Sequence, residues 1–213
     1  MALFAILLGG DLSVTPRLTA QLRNARFIAA DSGMMHAAAL RIIPELWVGD
    51  FDSSGSELTI QYRDVPRQSY PAEKDLTDGA IAVAEALRRG ASGIVLVGGL
   101  GGQADHTMGI LGQGLQLAQS GISCMLTSGH AEAYPLVQGK TSIDLPDAAR
   151  LSIVPFADVA GLTLDGVKWP LSNRDVPLGS TLTMSNVATG PVRISLRSGY
   201  AMAFAYPPEH YHD

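Results

Sequence analysis

The sequence predicts an α/β protein built in two parts, a parallel-sheet domain over residues 1–132 and a β-sandwich over 133–213. Three observations lead there. Short apolar runs alternate with helical patterns through the first half, as in strand–helix–strand units whose sheet is covered on both faces. From about Ala133 the texture changes to short β-rich segments broken by Gly, Pro and Asn, the pattern of a sandwich or barrel. No low-complexity linker separates the halves, so they are expected to pack closely.

"LFAILL" opens the chain as a buried strand. The start "MALFAILLGG" superficially looks like a signal peptide, but it lacks a basic n-region and Gly-Gly-Asp ends its apolar run early. "TPRLTAQLRNA" reads as a helix with Pro16 in its first turn. "RFIAAD" leads into "GMMHAAALRI", and "LWV" leads into Gly49-Asp50. "DLTDGAIAVAEALRRG" is an amphipathic helix, with Asp75 as N-cap, Arg88 and Arg89 in its last turn and Gly90 as its stop. "GIVLVGG" precedes the helix "DHTMGILGQGLQLAQSG" and the strand "ISCMLTS". In the second half "TSIDLP", "ARLSIVPF", "VAGLTLDGVKWPL", "STLTMSNVA", "PVRISLRSG" and "YAMAFAYP" are the expected strands.

Composition excludes several classes. Of 213 residues 46% are hydrophobic and 16% charged, as in a soluble globular protein. A formal net charge of −5 argues against nucleic acid and anionic membrane, which need clustered Lys and Arg. No run is long enough to span a bilayer, so a cytoplasmic location is expected. The single cysteine, Cys124, rules out a disulfide framework or a thiolate zinc cluster, and reads as a small buried hydrophobe. A small anionic ligand is still compatible, provided that a metal cation helps to hold it.

In parallel sheets of this kind ligands bind beyond the carboxyl ends of the strands. Acids collect there: Asp31 after "RFIAA", Asp50 and Asp52 after "LWV", and Asp105 after the glycines that follow "IVLV". Asp75 and Asp78 open the long helix. Singly, each of these five (Asp50, Asp52, Asp75, Asp78, Asp105) has a structural reading, as a turn former, a cap or a first-turn acid. Together they repel one another at one sheet edge. Mg²⁺ removes that objection, since it accepts carboxylate oxygens, keeps several waters and bridges to phosphate oxygens. ATP would complete such a site, with Lys74 as a phosphate partner.

"VGGLGGQADH" supplies glycines between a strand and a helix, where backbone N–H groups approach an anion. It is no Walker A loop, because no Gly-Lys-Ser/Thr ends it. Gly99-x-Gly101-x-x-Ala104 also fits the dinucleotide fingerprint, so a nicotinamide-dependent oxidoreductase is a rival. That rival lacks an acid at the end of "ISCMLTS" to hold a ribose and leaves Asp50, Asp52 and Asp75 unexplained.

"GDFDS" (49–53), "KDLTD" (74–78), "GGQADH" (101–106), "GVKWPL" (166–171) and "SN" (185–186) occur in the order seen in thiamine pyrophosphokinases, and the chain resembles that family over nearly its whole length. The resemblance implies transfer of diphosphate from ATP to the hydroxyl of thiamine, giving thiamine diphosphate and AMP with Mg²⁺. It implies a Rossmann-like nucleotide domain, a C-terminal β-sandwich that binds thiamine, and a homodimer. By the same resemblance Asp50, Asp52 and Asp78 are metal or metal-water ligands, and Asp75, Thr77 and Asp105 complete the polyphosphate site. Asp31, Lys74, Gly101, Gly102, Gln103 and His106 fall in its nucleotide-binding motifs. Trp169 matches the aromatic that stacks on thiamine, and Ser185 and Asn186 match the polar groups that read its aminopyrimidine. An indole face attracts cations, which agrees with a thiamine partner; a buried sandwich position is the alternative for Trp169.

Three positions depart from the family pattern. Asp31-Ser32-Gly33 stands for Asp-Gly-Gly, Gln103 stands where Arg is usual, and Ile110 stands where an Asn often occurs. Gln103 removes a positive charge from a phosphate site. Two further alternatives follow: a diphosphokinase for a hydroxymethylpterin, and a weakened homologue that binds thiamine or nucleotide as a sensor.

Overall fold

The computed structural model describes residues 2–51, 56–70 and 75–208. It is a mixed α/β structure that divides into two compact units. The first comprises Met1–Gln113 with Ile122–Gly129, and the second Gly114–Gly121 with His130–Asp213.

The first unit is a parallel sheet. Its strands are β1 (Ala2–Leu7), β2 (Arg26–Ala30), β3 (Leu46–Gly49), β4 (Arg67–Ser69), β5 (Ala91–Val97) and β6 (Ser123–Thr127), in the order β6-β5-β1-β2-β3-β4. The chain winds outward from β1 to β4, then returns to place β5 on the other side of β1. In β1, β2, β3 and β5 both faces are buried over most of the strand, which is why these read as continuous apolar runs, whereas the edge strand β4 is polar and largely exposed. On one face Ala5, Leu7, Ala29, Trp47, Val95 and Val97 pack with Leu18 and Leu22. Those two leucines belong to or border α1 (Pro16–Gln21), whose N-cap Thr15 accepts the Leu18 N–H at 3.1 Å. A 3₁₀ turn (Asp31–Met35) and α2 (His36–Leu40) follow β2, and α3 (Ser56–Gln61) precedes β4.

Helix α4 (Asp78–Arg88) packs on β1, β2, β3 and β5. Its N-cap is Thr77 rather than Asp75: the Thr77 hydroxyl accepts the Ala80 N–H at 3.2 Å. At its other end Arg88 and Arg89 do more than complement the helix dipole. Both bond the buried Glu85, at 2.7 and 2.6 Å, and Arg89 also reaches Glu45, which is held in turn by Arg26. Glu45 precedes β3 and Arg26 starts β2, so this chain of ion pairs pins the C-terminal end of α4 to the strand starts. Helix α5 (Ala104–Gln119) begins two residues before His106, which puts Asp105 inside its first turn rather than at the cap.

The second unit is antiparallel. It contains β7 (Glu132–Leu136), β8 (Gly139–Ile143), β9 (Arg150–Pro155), β10 (Val159–Val167), β11 (Leu171–Val176), β12 (Asn186–Leu196) and β13 (Ala201–Tyr206). They run β7-β13-β9-β12-β10-β11, with β8 also on β12. Strand β12 changes neighbours along its length: Asn186 and Val187 pair with β9, and later residues pair with β10 and β8. Its alternating residues Ala188, Val192, Ile194 and Leu196 face a core shared with Leu151, Ile153, Leu162 and Leu164. The strand expected over "STLTMSNVA" starts only at Asn186. Before it the chain makes a turn, with Ser185 in the left-handed region (φ 59°) and Leu182 and Met184 exposed.

Cys124 on β6 is half-buried rather than fully buried, and desolvation by its surroundings pushes the thiol up to about 12. Among the described residues no helix is long and apolar enough to cross a membrane.

The ion-pair chain gives a pH signature. Bonding from Arg88, and then Arg89, holds the Glu85 carboxyl down at about 2 although burial opposes it. Unfolded glutamate titrates near about 4.3. The contribution is therefore complete above that value and is lost as pH falls from about 4 towards 2. Arg88 is largely exposed, which screens part of the pairing. Glu85→Gln is expected to lower stability by about 1–3 kcal/mol at neutral pH. Denaturant melts across pH should show the gap from wild type closing as acid is added.

Candidate active site

The winding of the first unit reverses between β1 and β5, and at such a point two adjacent strand ends splay apart and leave a crevice. A cleft of about 660 Å³ lies there. Its floor is Leu8, Gly9 and Gly10 from the exit of β1 and Gly98 and Gly99 from the exit of β5. These exits touch: a Cβ on Gly98 (φ 74°) would stand 2.6 Å from the Leu8 carbonyl oxygen, so only glycine serves there. His36, buried on α2, sits under the same point with Nε2 2.9 Å from the Gly10 carbonyl oxygen, which assigns the proton to Nε2.

Two helices aim their N-termini into the cleft. Thr77, Asp78, Gly79 and Ala80 come from α4, and Gln103, Asp105, His106 and Thr107 from the start of α5. First-turn N–H groups lack intrahelical carbonyls and carry the positive end of the helix dipole. Gly101 (φ 106°) and Gly102 (φ 76°) turn the chain into α5, and the Thr107 hydroxyl donates to the Gly101 carbonyl at 3.0 Å.

The carboxylates are arranged in two groups. Asp31, Asp78 and Asp105 line the cleft, Asp105 accepting the His106 N–H at 2.9 Å. Asp50 stands one strand over, at the exit of β3, and does not line the cleft. Because Ala30 pairs with Val48, the register sets Asp31 opposite Gly49, the residue before Asp50. Gly49 makes room for that, since a Cβ there would lie 3.2 Å from the Asp31 Cα. Asp75 is exposed and also lies outside the lining. Asp52 and Lys74 lie outside the described residues. Among the described lining residues there is no Lys or Arg, and His106 is the one basic side chain.

Sequence reading missed the support beneath Asp31. That residue adopts φ 43°, and the fully buried Trp47 donates its indole N–H to the Asp31 carbonyl at 2.8 Å. Phe51 (φ 64°) packs edge-on against Trp47 at 5.0 Å, and the Arg67 guanidinium lies over both rings. Two left-handed residues at adjacent strand exits are thus braced by one aromatic pair. Trp47 sits in the fully buried run of β3, where the sequence shows only a short apolar stretch. The Gly9-Gly10 pair and His36 likewise gave no functional signal.

Among the described residues no three acids or histidines converge closely enough to hold a metal by themselves. The donor set still fits Mg²⁺, which binds through one or two carboxylates together with substrate phosphates rather than in an all-protein cage.

In the second unit Trp169 lies in the connection between β10 and β11 and is 53% exposed, so it is not the core residue that composition alone allowed. The Lys168 ammonium sits 4.8 Å from its ring centroid. Ser185 is exposed, and its N–H donates to the Ser152 hydroxyl at 2.9 Å. Asn186 is buried, with its amide bonded to the main chain of Trp169.

Comparisons with known proteins agree over both units. The model of the thiamin pyrophosphokinase catalytic domain matches residues 19–126, and that of the vitamin B1 binding domain matches residues 140–201. A thiamine pyrophosphokinase from Bacillus subtilis is 33% identical over 192 residues, covering 85% of this chain and 87% of that protein. A crystal structure of thiamine pyrophosphokinase from Bacillus subtilis superposes with a TM-score of 0.86 at 28% identity, covering 97% of this chain and 100% of that one. One from Geobacillus thermodenitrificans gives 0.79 at 26% identity, covering 99% of each. With both domain models matched in order, and with relatives spanning nearly its full length, the chain belongs to the thiamin pyrophosphokinase family of enzymes.

Proposed function

We propose that this enzyme transfers diphosphate from ATP to thiamine, with the ATP polyphosphate and Mg²⁺ in the cleft between β1 and β5. The observation that carries this reading is the charge of that cleft. Asp31, Asp78 and Asp105 line it without a Lys or Arg among the described residues, while two helix N-termini open on it. A polyanion entering such a place needs a cation to bind beside carboxylates. The first unit serves as a Rossmann-like nucleotide domain and the second as a β-sandwich for thiamine. A homodimer belongs to the same proposal.

Thiamine's primary hydroxyl oxygen bonds to the β-phosphorus, the bond from that phosphorus to the α,β-bridging oxygen breaks, AMP leaves, and the hydroxyl proton passes to a carboxylate. Bound Mg²⁺ supplies neutralisation of the phosphate charge that develops in this transfer. Of the residues expected to hold it, Asp78 lines the cleft and would bind it there, while Asp50 would have to reach it from the exit of β3 and Asp52 lies outside the described residues. The Thr77 hydroxyl accepts from Ala80 as cap, which leaves its own O–H to donate to a phosphate oxygen. The N-terminal turn of α5 and Gly101–Gly102 offer backbone N–H groups on the other side. His106 and Gln103 line the same wall, and Lys74 and Asp75 lie on the segment leading into α4.

The acceptor assignment rests on Trp169. Its indole is exposed and already attracts the Lys168 ammonium, so the ring face recognises cations where solvent reaches it. The match of the vitamin B1 binding model over 140–201 supports thiamine over a pterin. Incubation of the protein with Mg²⁺-ATP and thiamine or a hydroxymethylpterin, with products resolved by mass, tests the reading. Thiamine diphosphate and AMP in equal amounts are expected. Binding without AMP release would make the protein a sensor.

Asp78→Asn and Asp50→Asn are each expected to abolish Mg²⁺-dependent turnover with the fold retained by circular dichroism. Near-normal turnover in either would remove that residue from the metal site. Gln103→Arg should tighten ATP by about 1–3 kcal/mol, the scale of a charge-assisted hydrogen bond, read as a lower apparent Kd. An unchanged Kd would show that no phosphate contact is missing at position 103. Trp169→Ala should raise the thiamine KM several-fold, since an exposed cation–π contact contributes about 0.5–1 kcal/mol and more when desolvated. ATP binding should be unchanged, the melting temperature nearly so, and Trp169→Phe should recover part of the loss.

A further inference from the structure

The β10–β12 ladder reaches the pair Val167–Ala188, and the Lys168 N–H still donates to the Val187 carbonyl at 2.8 Å. One residue further the β12 backbone has turned to pair with β9. There the Asn186 side chain takes over the ladder's role. Its Nδ2 donates to the Trp169 carbonyl at 2.8 Å, and its Oδ1 accepts the Trp169 N–H at 3.2 Å. The same Oδ1 accepts the Val187 N–H at 2.9 Å. Both lone pairs of Oδ1 and one amide hydrogen are thereby used. Two N–H donors on one side and a carbonyl on the other also fix which way the amide points.

Trp169 needs such a hold. It lies with Lys168 and Pro170 between two strands, and its half-exposed indole has little protein packed around it. An unfixed aromatic would have to be ordered each time a ligand stacks on it, and that ordering weakens binding.

We propose that Asn186 is a positioning residue: by bonding both main-chain groups of Trp169 it sets how the indole is presented, and acts on thiamine through Trp169 rather than by contact. This rests on the thiamine reading of Trp169, but the hold itself is testable without any ligand. The chain has two tryptophans, and Trp47 is fully buried in the other unit. Protein labelled with 5-fluorotryptophan therefore gives two ¹⁹F resonances, assigned by the loss of one in Trp169→Phe.

In thiamine-free protein Asn186→Ala is expected to change the shift and linewidth of the Trp169 resonance and leave that of Trp47 in place. In assays it should raise the thiamine KM about threefold or more, with kcat and the ATP KM nearly kept. Asn186→Asp keeps an acceptor for the two N–H groups and loses the donor to the Trp169 carbonyl. With an oxygen now facing that carbonyl it too should move the resonance, and it carries the test should Asn186→Ala fail to fold. A Trp169 resonance unmoved in a folded variant overturns the proposal: with a raised thiamine KM it would make Asn186 a direct reader of the substrate, and without one it would leave Asn186 no role. A moved resonance in a protein that does not turn over thiamine would uphold the hold on Trp169 and refute the thiamine reading instead.

Discussion

A parallel sheet sends every strand exit to one edge, and in the first unit the winding reverses between β1 and β5 at that edge. The crevice opened by this reversal is the constraint on which the rest of the unit depends. Strands β1 and β5 lie side by side there, so their exits must be glycine to pass each other. Helices α4 and α5 precede and follow β5, and both present their N-terminal turns to the crevice. The ion-pair chain Arg26–Glu45–Arg89–Glu85–Arg88 works at the opposite end of α4, fixing the helix against the strand starts. Holding one end of a short, rigid helix holds the other.

The arrangement of acids is costly in isolation and sensible beside a cation. Three carboxylates line one cleft with no Lys or Arg among the described lining residues, and two helix N-termini open on the same place. Asp31 also adopts a left-handed backbone, a conformation that costs on the order of 1 kcal/mol or more for a residue other than glycine. Trp47 bonds its carbonyl, and Phe51 and Arg67 pack in turn on the Trp47 ring.

The second unit solves a different problem. A large aromatic must stay accessible without being loose. Strand β12 changes partner at its first two residues, and the side chain of Asn186 fills the gap in the ladder that this leaves beside Trp169. A buried amide thus supports an exposed indole. Under the proposed thiamine reading, the exposure of this ring is what a cation-binding face would require.

Much of this was legible in the sequence, for a physical reason. Burial on both faces forces apolar runs, so "LFAILL", "LWV" and "GIVLV" announced a parallel sheet, and the rule of ligand sites at strand exits pointed to Asp31, Asp50, Asp52 and Asp105, of which Asp31 and Asp105 line the cleft, Asp50 does not, and Asp52 lies outside the described residues. Local order was legible where it depends on near neighbours, as with Pro16 in α1 and Gly90 after α4. It failed where the decisive partner is remote. Thr77 and Asp75 are both good caps, and only the helix start chooses Thr77. Arg88 and Arg89 read as dipole partners because Glu45, far away in sequence, could not be seen beside them. Trp169 was compatible with a core or a surface until the β10–β11 connection exposed it, and Trp47 looked like core until its indole N–H met Asp31. The sequence by itself determined which residues are apolar, turning or charged, because those properties belong to a residue and its neighbours. Which of them meet was decided by tertiary structure alone, since strand order and side-chain hydrogen bonds join positions that no local pattern connects.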